Sequence, residues 1–263
     1  MDAGLPDALG LRAHRSAWLI GGGGKTSLMY ALAHALAADG RTVITSTSTR
    51  IRPPRPDESP RLVLADEVPD LHAAVRAALA LSPHVTVAHA RIAGEDKLEG
   101  LPLDVLESLD DDALAAHLLV EADGSAGRSL KAHAEHEPVI SPHAGAVVMV
   151  IGADIVGRPA DEANVHRAGL LCERLGLRAG AEVTPAVVAG IVFHSEGWLA
   201  RVPAGAQASV FVSKAGTPES RAAARGIATA LLRGDRSGRL ARVVIGDTRA
   251  EAREGGGLEH GKG

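Results

Sequence analysis

Residues 17–27 read Ala17-Trp18-Leu19-Ile20-Gly21-Gly22-Gly23-Gly24-Lys25-Thr26-Ser27, an apolar segment followed by four glycines, a lysine and two hydroxyl residues. The apolar residues predict a short buried strand, and Leu28, Leu32 and Leu36 recur at helical spacing after the glycines. A strand, a glycine loop and a helix in this order suit a phosphate group, because loop N–H groups and the positive end of the helix dipole converge there. The stretch therefore predicts a nucleotide site.

The loop residues have separate predicted roles in that site. We expect the phosphates to be bound by Gly21, Gly22, Gly23, Gly24, Lys25, Thr26 and Ser27. Lys25 would supply a mobile cation for the outer phosphates, and the Thr26 hydroxyl would ligate Mg²⁺. The loop is shorter than the usual phosphate-binding pattern, whose first glycine would fall at Leu19. An ordinary strand-to-helix turn is the alternative interpretation of the glycines.

Lysine is scarce in this chain, with five lysines against 23 arginines. Lys25, Lys131 and Lys214 nevertheless each lie beside a motif. A compact ammonium on a flexible stem differs physically from a planar guanidinium, and phosphate binding is one place where the difference matters. The distribution therefore favours a specific role for these lysines over a general need for positive charge.

Composition limits the classes of protein to which the chain can belong. The formal charge of −4 and a pI near 6.3 argue against a nucleic-acid partner, although a local N–H nest can still bind a small anion. Cys172 is the single cysteine, which excludes an internal disulfide, and its amphipathic surroundings predict a buried small hydrophobe. No stretch reaches the length of a membrane span, so we expect a cytoplasmic protein without a membrane partner.

Apolar runs alternate with helical patterns along the chain. Eight runs predict buried strands, at 17–20, 42–47, 61–65, 84–92, 117–121, 146–151, 208–213 and 241–246. Helices are predicted at about 26–38, 67–80, 161–175 and 217–233, a loop at 50–60 and an irregular flap at 94–112. This alternation predicts one α/β domain over residues 1–250, a mostly parallel sheet flanked by helices on both faces, with ligands at the carboxyl ends of the strands. Residues 251–263 are predicted to be a disordered tail.

A second motif ends the run His117-Leu118-Leu119-Val120-Glu121-Ala122-Asp123. Because side chains alternate along a strand, Glu121 and Asp123 point to the same side. We predict that Lys25, Glu121 and Asp123 are catalytic, with Glu121 joining Thr26 at the metal and Asp123 directed toward an incoming nucleophile. A solvated turn at a strand end is the alternative.

Two further polar segments are candidates for ligand contacts. The hydroxyls of residues 45–49 follow a predicted strand and could sense a third phosphate, an assignment that competes evenly with ordinary threonines in a strand. Residues 131–143 are dense in histidine and glutamate, which suits an anionic substrate, a metal or a polar surface loop. We predict that the substrate is contacted by Arg128, Lys131, His136 and Arg167. For Arg167, an ordinary solvated arginine is the alternative.

Taken together, these motifs resemble the YqeC family of accessory proteins of selenium-dependent molybdenum hydroxylases. The resemblance covers most of the chain and rests on residues 21–27, 45–49, 120–125, 127–132, 134–140, 152–157 and 165–167. It implies a P-loop NTPase-like three-layer sandwich and a role in maturing a molybdenum or selenium centre. Where relatives tend to show Asn-Lys after the late strand, this chain has Ser213-Lys214, and Lys214 is expected at the nucleotide.

The function that follows is Mg²⁺-dependent binding of a nucleoside triphosphate, ATP, GTP or CTP, in the service of cofactor maturation. Hydrolysis and phosphoryl or nucleotidyl transfer both remain open. The expected partners are the nucleotide, a molybdenum cofactor precursor and a molybdenum hydroxylase. The alternative from another class is a chaperone that binds nucleotide or cofactor and docks to the hydroxylase without chemistry.

Overall fold

A computed structural model describes residues 4–248 and 259–261 of the chain. Its main strands are β1 (Ser16–Gly21), β2 (Val43–Thr47), β3 (Leu62–Leu64), β4 (His84–Ala88), β5 (His117–Glu121), β7 (Ala146–Gly152), β9 (Gln207–Ser213), β10 (Leu240–Ile245) and β11 (Glu259–Gly261). Two short strands, β6 (Leu130–Lys131) and β8 (Val165–His166), pair separately. The helices are α1 (Leu5–Ala8), α2 (Lys25–Ala38), α3 (Leu71–Leu79), α4 (Leu103–Asp111), α5 (Ala168–Leu175), α6 (Pro185–Phe193) and α7 (Pro218–Gly234).

The main sheet has the strand order β11-β10-β9-β7-β1-β5-β2-β4-β3. All neighbouring pairs are parallel except β10 with β11. The strand β1 therefore lies in the middle of the sheet, with β5 on one side and β7 on the other. The glycine loop after β1 and the carboxylates after β5 consequently reach the same edge.

Helices cover both faces of this sheet, which confirms the predicted three-layer α/β fold. The alternation of side chains divides each central strand between two cores: Trp18 and Ile20 of β1 join one, and Ala17 and Leu19 the other. The first core includes apolar side chains of α3 to α7, and the second those of α1 and α2. Near-continuous apolar strands are typical of a parallel sheet buried on both faces.

The eight predicted strands are all present, but the helix predictions are incomplete. The predicted flap at 94–112 contains the helix α4, whose Leu106 and Leu109 are buried although acidic residues dominate its sequence. The helix α6 was missed because its residues are apolar all round and therefore lack an amphipathic period. The helix predicted over 161–175 begins only at Ala168.

The predicted tail at the carboxyl end of the chain is described only in part. Of the predicted tail at 251–263, the segments 251–258 and 262–263 lie outside the described residues. Glu259–Gly261 forms β11 antiparallel to β10. Within the described part of the chain, none of the helices combines the length and apolar character needed to cross a membrane.

Candidate nucleotide site

The glycine loop joins the end of β1 to the start of α2. Gly23 has φ of 76°, and a Cβ atom on it would lie 2.3 Å from the backbone nitrogen of Gly152. Gly24 is the N-cap of α2, has φ of 103° and is exposed, with open space around its missing Cβ. The first position requires glycine for close backbone approach, and the second for its left-handed conformation beside solvent.

The backbone N–H groups of the loop fall into two sets. Those of Gly21, Gly22 and Gly23 donate to Asp123, to Val150 O and to Arg128 O, respectively. For the N–H groups of residues 24–27, no acceptor is present within the described part of the chain. Fewer of the four glycines than predicted therefore have an N–H group available to an anion. Among the described residues, the available donors begin at Gly24 and continue into the first turn of α2, where an anion is favoured.

Lys25, the first residue of α2, turns inward and is only 2% exposed. Its Nζ donates to Gly21 O at 2.6 Å and lies 3.0 Å from Asp123 Oδ1 and 3.7 Å from Glu121 Oε1. Burial lowers the pKa of Lys25, but the two carboxylates outweigh this effect and the pKa is raised. The ammonium therefore stays charged, and it is paired with protein groups rather than directed to solvent.

Asp123 follows β5 and is the central acceptor of the site. Its carboxylate accepts the Gly21 N–H at 2.9 Å and a bond from His133 Nε2 at 2.5 Å, in addition to its contact with Lys25. Lys131 Nζ lies 3.4 Å away. Burial alone would raise the pKa of Asp123, but Lys25 and these donors lower it well below its usual range.

This geometry bears on the role predicted for Asp123. The residue is 1% exposed and both of its carboxylate oxygens are engaged. It is therefore placed to hold the loop and Lys25 together. Its action on an incoming nucleophile stays a prediction, and it would require some of these partners to move away.

Thr26 and Glu121 form the oxygen-rich part of the site. Thr26 Oγ1 donates to Glu121 Oε2 at 2.6 Å. Burial raises the pKa of Glu121, opposed by the Lys25 charge and by this hydrogen bond. Thr26 and Glu121, the two residues predicted at the metal, are thus in direct contact. Ser27 follows in the first turn of α2 and is half-buried.

The segment after β5 folds back onto the glycine loop. A Cβ on Gly22 would lie 2.5 Å from Arg128 O, and Gly152 N donates to Ser129 O at 2.9 Å. Lys214, which has φ of 59°, donates to Ser129 Oγ at 2.6 Å and to Asp154 at 2.8 Å. Lys214 therefore lies at the same sheet edge, linked to the loop through this segment rather than in direct contact with Lys25.

Lys131, which the sequence predicts to contact the substrate, is fully buried and paired with protein groups. It is 0% exposed, and its Nζ donates to Gly124 O at 2.6 Å and to Glu137 Oε2 at 3.0 Å. Burial lowers the pKa of Lys131, and the neighbouring carboxylates oppose that effect. Arg167 also pairs with Glu137. A chain of charged contacts consequently connects Lys25 with Arg167 through Asp123, Lys131 and Glu137.

The other two predicted substrate residues lie at the surface. Arg128 donates through its side chain to Ala126 O and to Glu162 O, at 2.6 Å and 3.0 Å. His136 is exposed. The structure therefore brings Lys131 and Arg167 into the charged chain and leaves the side chains of Arg128 and His136 outside it.

The metal interpretation of the histidine-rich segment gains no support. Among residues 4–248 and 259–261, no group of three or more His, Cys, Asp or Glu side chains is arranged to hold a metal ion. Cys172 is buried, as predicted, with 8% exposure.

The hydroxyl-rich residues 45–49 divide according to strand position. Thr45 is buried in β2 and bonds to His84 and Thr86, and Thr47 Oγ1 donates to Glu121 O at 2.9 Å. Ser48 and Thr49 are partly exposed at the carboxyl end of β2. Only the last hydroxyls of the segment therefore lie where a ligand at the sheet edge could reach them.

Sequence reasoning missed two buried residues beside the site, His133, which bonds to Asp123, and Trp198, which packs against His133. His133 is 0% exposed, and its ring meets Trp198 edge-on with centroids 5.4 Å apart. Trp198 Nε1 donates to Lys131 O at 3.0 Å, and its ring occupies the space that a Cβ on Gly21 would need. The histidine density hinted at His133, but no local signal marks Trp198, which is 177 positions after Gly21 in the printed sequence.

Fold and site together define a three-layer α/β protein with a glycine loop at the carboxyl edge of its sheet and a buried lysine–carboxylate cluster beside that loop. Residues 18–169 match the family described as YqeC protein. The chain is also 31% identical over 196 residues to "Uncharacterized protein YqeC" of Escherichia coli (strain K12), covering 74% of each chain. The chain belongs to the YqeC family.

Proposed function

We propose that the protein binds a nucleoside triphosphate with Mg²⁺ at the amino end of α2. The observation that carries this proposal is the convergence of Lys25, Thr26, Glu121 and Asp123 at a glycine loop. Among the described residues, the last N–H groups of this loop have no acceptor. Phosphates would receive N–H bonds from residues 24–27, and Lys25 would exchange its carboxylate partners for phosphate oxygens.

The donor set fits Mg²⁺. Thr26 Oγ1 and Glu121 Oε2 are oxygen atoms 2.6 Å apart beside the free N–H groups. Mg²⁺ prefers oxygen ligands and usually retains waters while it binds one or two protein groups and the phosphates. When bound, the ion would neutralise phosphate charge, and Thr26 and Glu121 are the residues that would hold it.

Two modes of action follow from this site. In the first, the protein hydrolyses the nucleotide or transfers a phosphoryl or nucleotidyl group to a cofactor precursor. In the second, it binds nucleotide or cofactor and docks to a hydroxylase without chemistry. The full engagement of Asp123 favours the second mode, since this carboxylate has no free oxygen with which to activate a nucleophile.

The biological setting that we propose rests on the resemblance described from the sequence motifs. We propose that the activity serves maturation of a selenium- or molybdenum-containing hydroxylase, with a molybdenum cofactor precursor and the hydroxylase as partners. Arg128, His136 and Arg167 are the residues that would contact an anionic precursor.

Phosphorus NMR of the purified protein with Mg²⁺ and ATP, GTP or CTP separates these modes. Phosphate, pyrophosphate or a new ester identifies hydrolysis or transfer, and line broadening without turnover identifies binding alone. Lys25→Met is the matched control, because it retains much of the side-chain volume and removes the charge. Absence of binding to all three nucleotides, or an unchanged response in Lys25→Met, would refute the proposal.

A further inference from the structure

His133 is a buried histidine that the proposed function does not yet use. It lies two residues after the end of the short β6 strand and is 0% exposed. Its Nε2 lies 2.5 Å from Asp123 Oδ2, while its Nδ1 has no hydrogen-bond partner among the described residues. Because an ionised carboxylate only accepts hydrogen bonds, Nε2 is the nitrogen that carries the proton.

Asp123 links His133 to the glycine loop, because it contacts both. The oxygen that receives the His133 bond also accepts the Gly21 N–H at 2.9 Å, and the other oxygen contacts Lys25 at 3.0 Å. Trp198 packs against both the His133 ring and the Gly21 backbone. The histidine thus fixes the orientation of a carboxylate that fixes both the first loop amide and the phosphate-binding lysine.

We propose that His133 is the positioning residue of the glycine loop. Resting on the proposed function, this inference holds that His133 orders the loop before a triphosphate arrives. Without its bond the Asp123 carboxylate can rotate, and part of the binding energy would be needed to restore the loop. Affinity for nucleotide should therefore fall, while any turnover at saturating nucleotide should change little.

The test compares His133→Leu, which removes the donor, with His133→Gln, whose amide can donate from the Nε2 position. His84→Leu is the matched control. His84 is 3% exposed, also has an unpartnered Nδ1, and bonds to Thr45 instead of the loop carboxylate. We expect Mg²⁺–triphosphate affinity to fall about 10- to 100-fold in His133→Leu, the usual range for losing a hydrogen bond to a charged group. His133→Gln should stay within about threefold of wild type, and so should His84→Leu.

A readout that needs no nucleotide separates this inference from the proposed function. Hydrogen exchange of the Gly21 amide, followed by NMR, should accelerate in His133→Leu and stay slow in His133→Gln and His84→Leu. If wild type binds no triphosphate but this exchange pattern holds, the proposed function fails and the positioning role stands. Should His133→Leu fail to fold, His133→Asn, too short to reach Asp123, takes its place. The inference would be overturned if His133→Gln had the same Gly21 exchange rate and nucleotide affinity as His133→Leu or His133→Asn. It would also be overturned if His84→Leu lost as much affinity and amide protection as His133→Leu.

Discussion

Lys25 and Asp123 form an ion pair of 3.0 Å in which the lysine is 2% exposed and the carboxylate 1% exposed. The lysine that we propose to bind phosphate is thus held in place by protein groups. The pair contributes both to folding and to the site, because removing either partner takes the nearest opposite charge away from the buried group that remains. Substitutions at Lys25 consequently act on stability as well as on binding.

The variant Lys25→Met should lower the free energy of unfolding by about 3–5 kcal/mol, the usual cost of breaking a buried pair by removing one partner. The double variant with Lys25→Met and Asp123→Asn should be destabilised much less than the sum of the two single variants, because neither charge of the pair then remains. Neither Lys25→Met nor the double variant should bind triphosphate. Urea denaturation and calorimetric titration of wild type, the two single variants and the double variant measure these effects. Additive losses would show that the pair is not coupled.

We expect Mg²⁺ to increase the nucleotide affinity of wild type, and we expect Thr26→Val to reduce this increase about tenfold. The variant Thr26→Ser should keep the increase. The reason is that only a hydroxyl at this position can share the ion with Glu121. Titration with nucleotide in Mg²⁺ and in EDTA measures the effect. An unchanged Mg²⁺ dependence in the valine variant would remove Thr26 from the metal site.

Acid should destabilise the protein partly through His84. Burial lowers the pKa of His84 from 6.5 to about 4. Between these values the unfolded chain binds a proton that the folded state does not, so stability is lost as pH falls from 6.5 toward 4. Between pH 7 and pH 5, the free energy of unfolding should fall by about 2 kcal/mol less in His84→Gln than in wild type. Denaturant titrations at the two pH values test this, and identical pH dependence in both proteins would contradict it.

Substituting Arg128 or His136 with Ala should leave the affinity for nucleotide within about threefold of wild type. Neither side chain contacts Lys25, Glu121 or Asp123, and loss of surface contacts of this kind is usually small. The same variants should lose stimulation by an anionic cargo or by the hydroxylase. Nucleotide affinity and hydroxylase maturation are measured side by side. If Arg128→Ala weakens nucleotide as strongly as Lys25→Met, Arg128 belongs to the phosphate site.

The central sheet could be predicted from sequence because its strands are short apolar runs bounded by turns. The order β7-β1-β5 could not, since local patterns do not encode which strands pair. Helix α6 escaped prediction for lack of an amphipathic period. In helix α4 two buried leucines override an acidic composition.

The candidate site was predictable to the extent that its residues belong to contiguous motifs. Lys25, Thr26, Glu121 and Asp123 were all identified from local sequence, and the structure places them together. Lys131 lies in β6, which pairs with β8 more than thirty residues later in the chain, so its burial involves long-range contacts. The roles of His133 and Trp198 depend on the same long-range packing, which no local spacing reveals.

The most direct test of a lysine-dependent triphosphate site is calorimetric titration of wild type and Lys25→Arg with Mg²⁺ and ATP, GTP or CTP. A planar guanidinium is too large for the buried position of Lys25 and cannot reproduce its ammonium contacts. We predict saturable, Mg²⁺-dependent binding of at least one nucleotide by wild type and a loss of at least about 100-fold in the folded Lys25→Arg variant. Wild-type affinity in Lys25→Arg, or no binding of any of the three by wild type, would contradict the account.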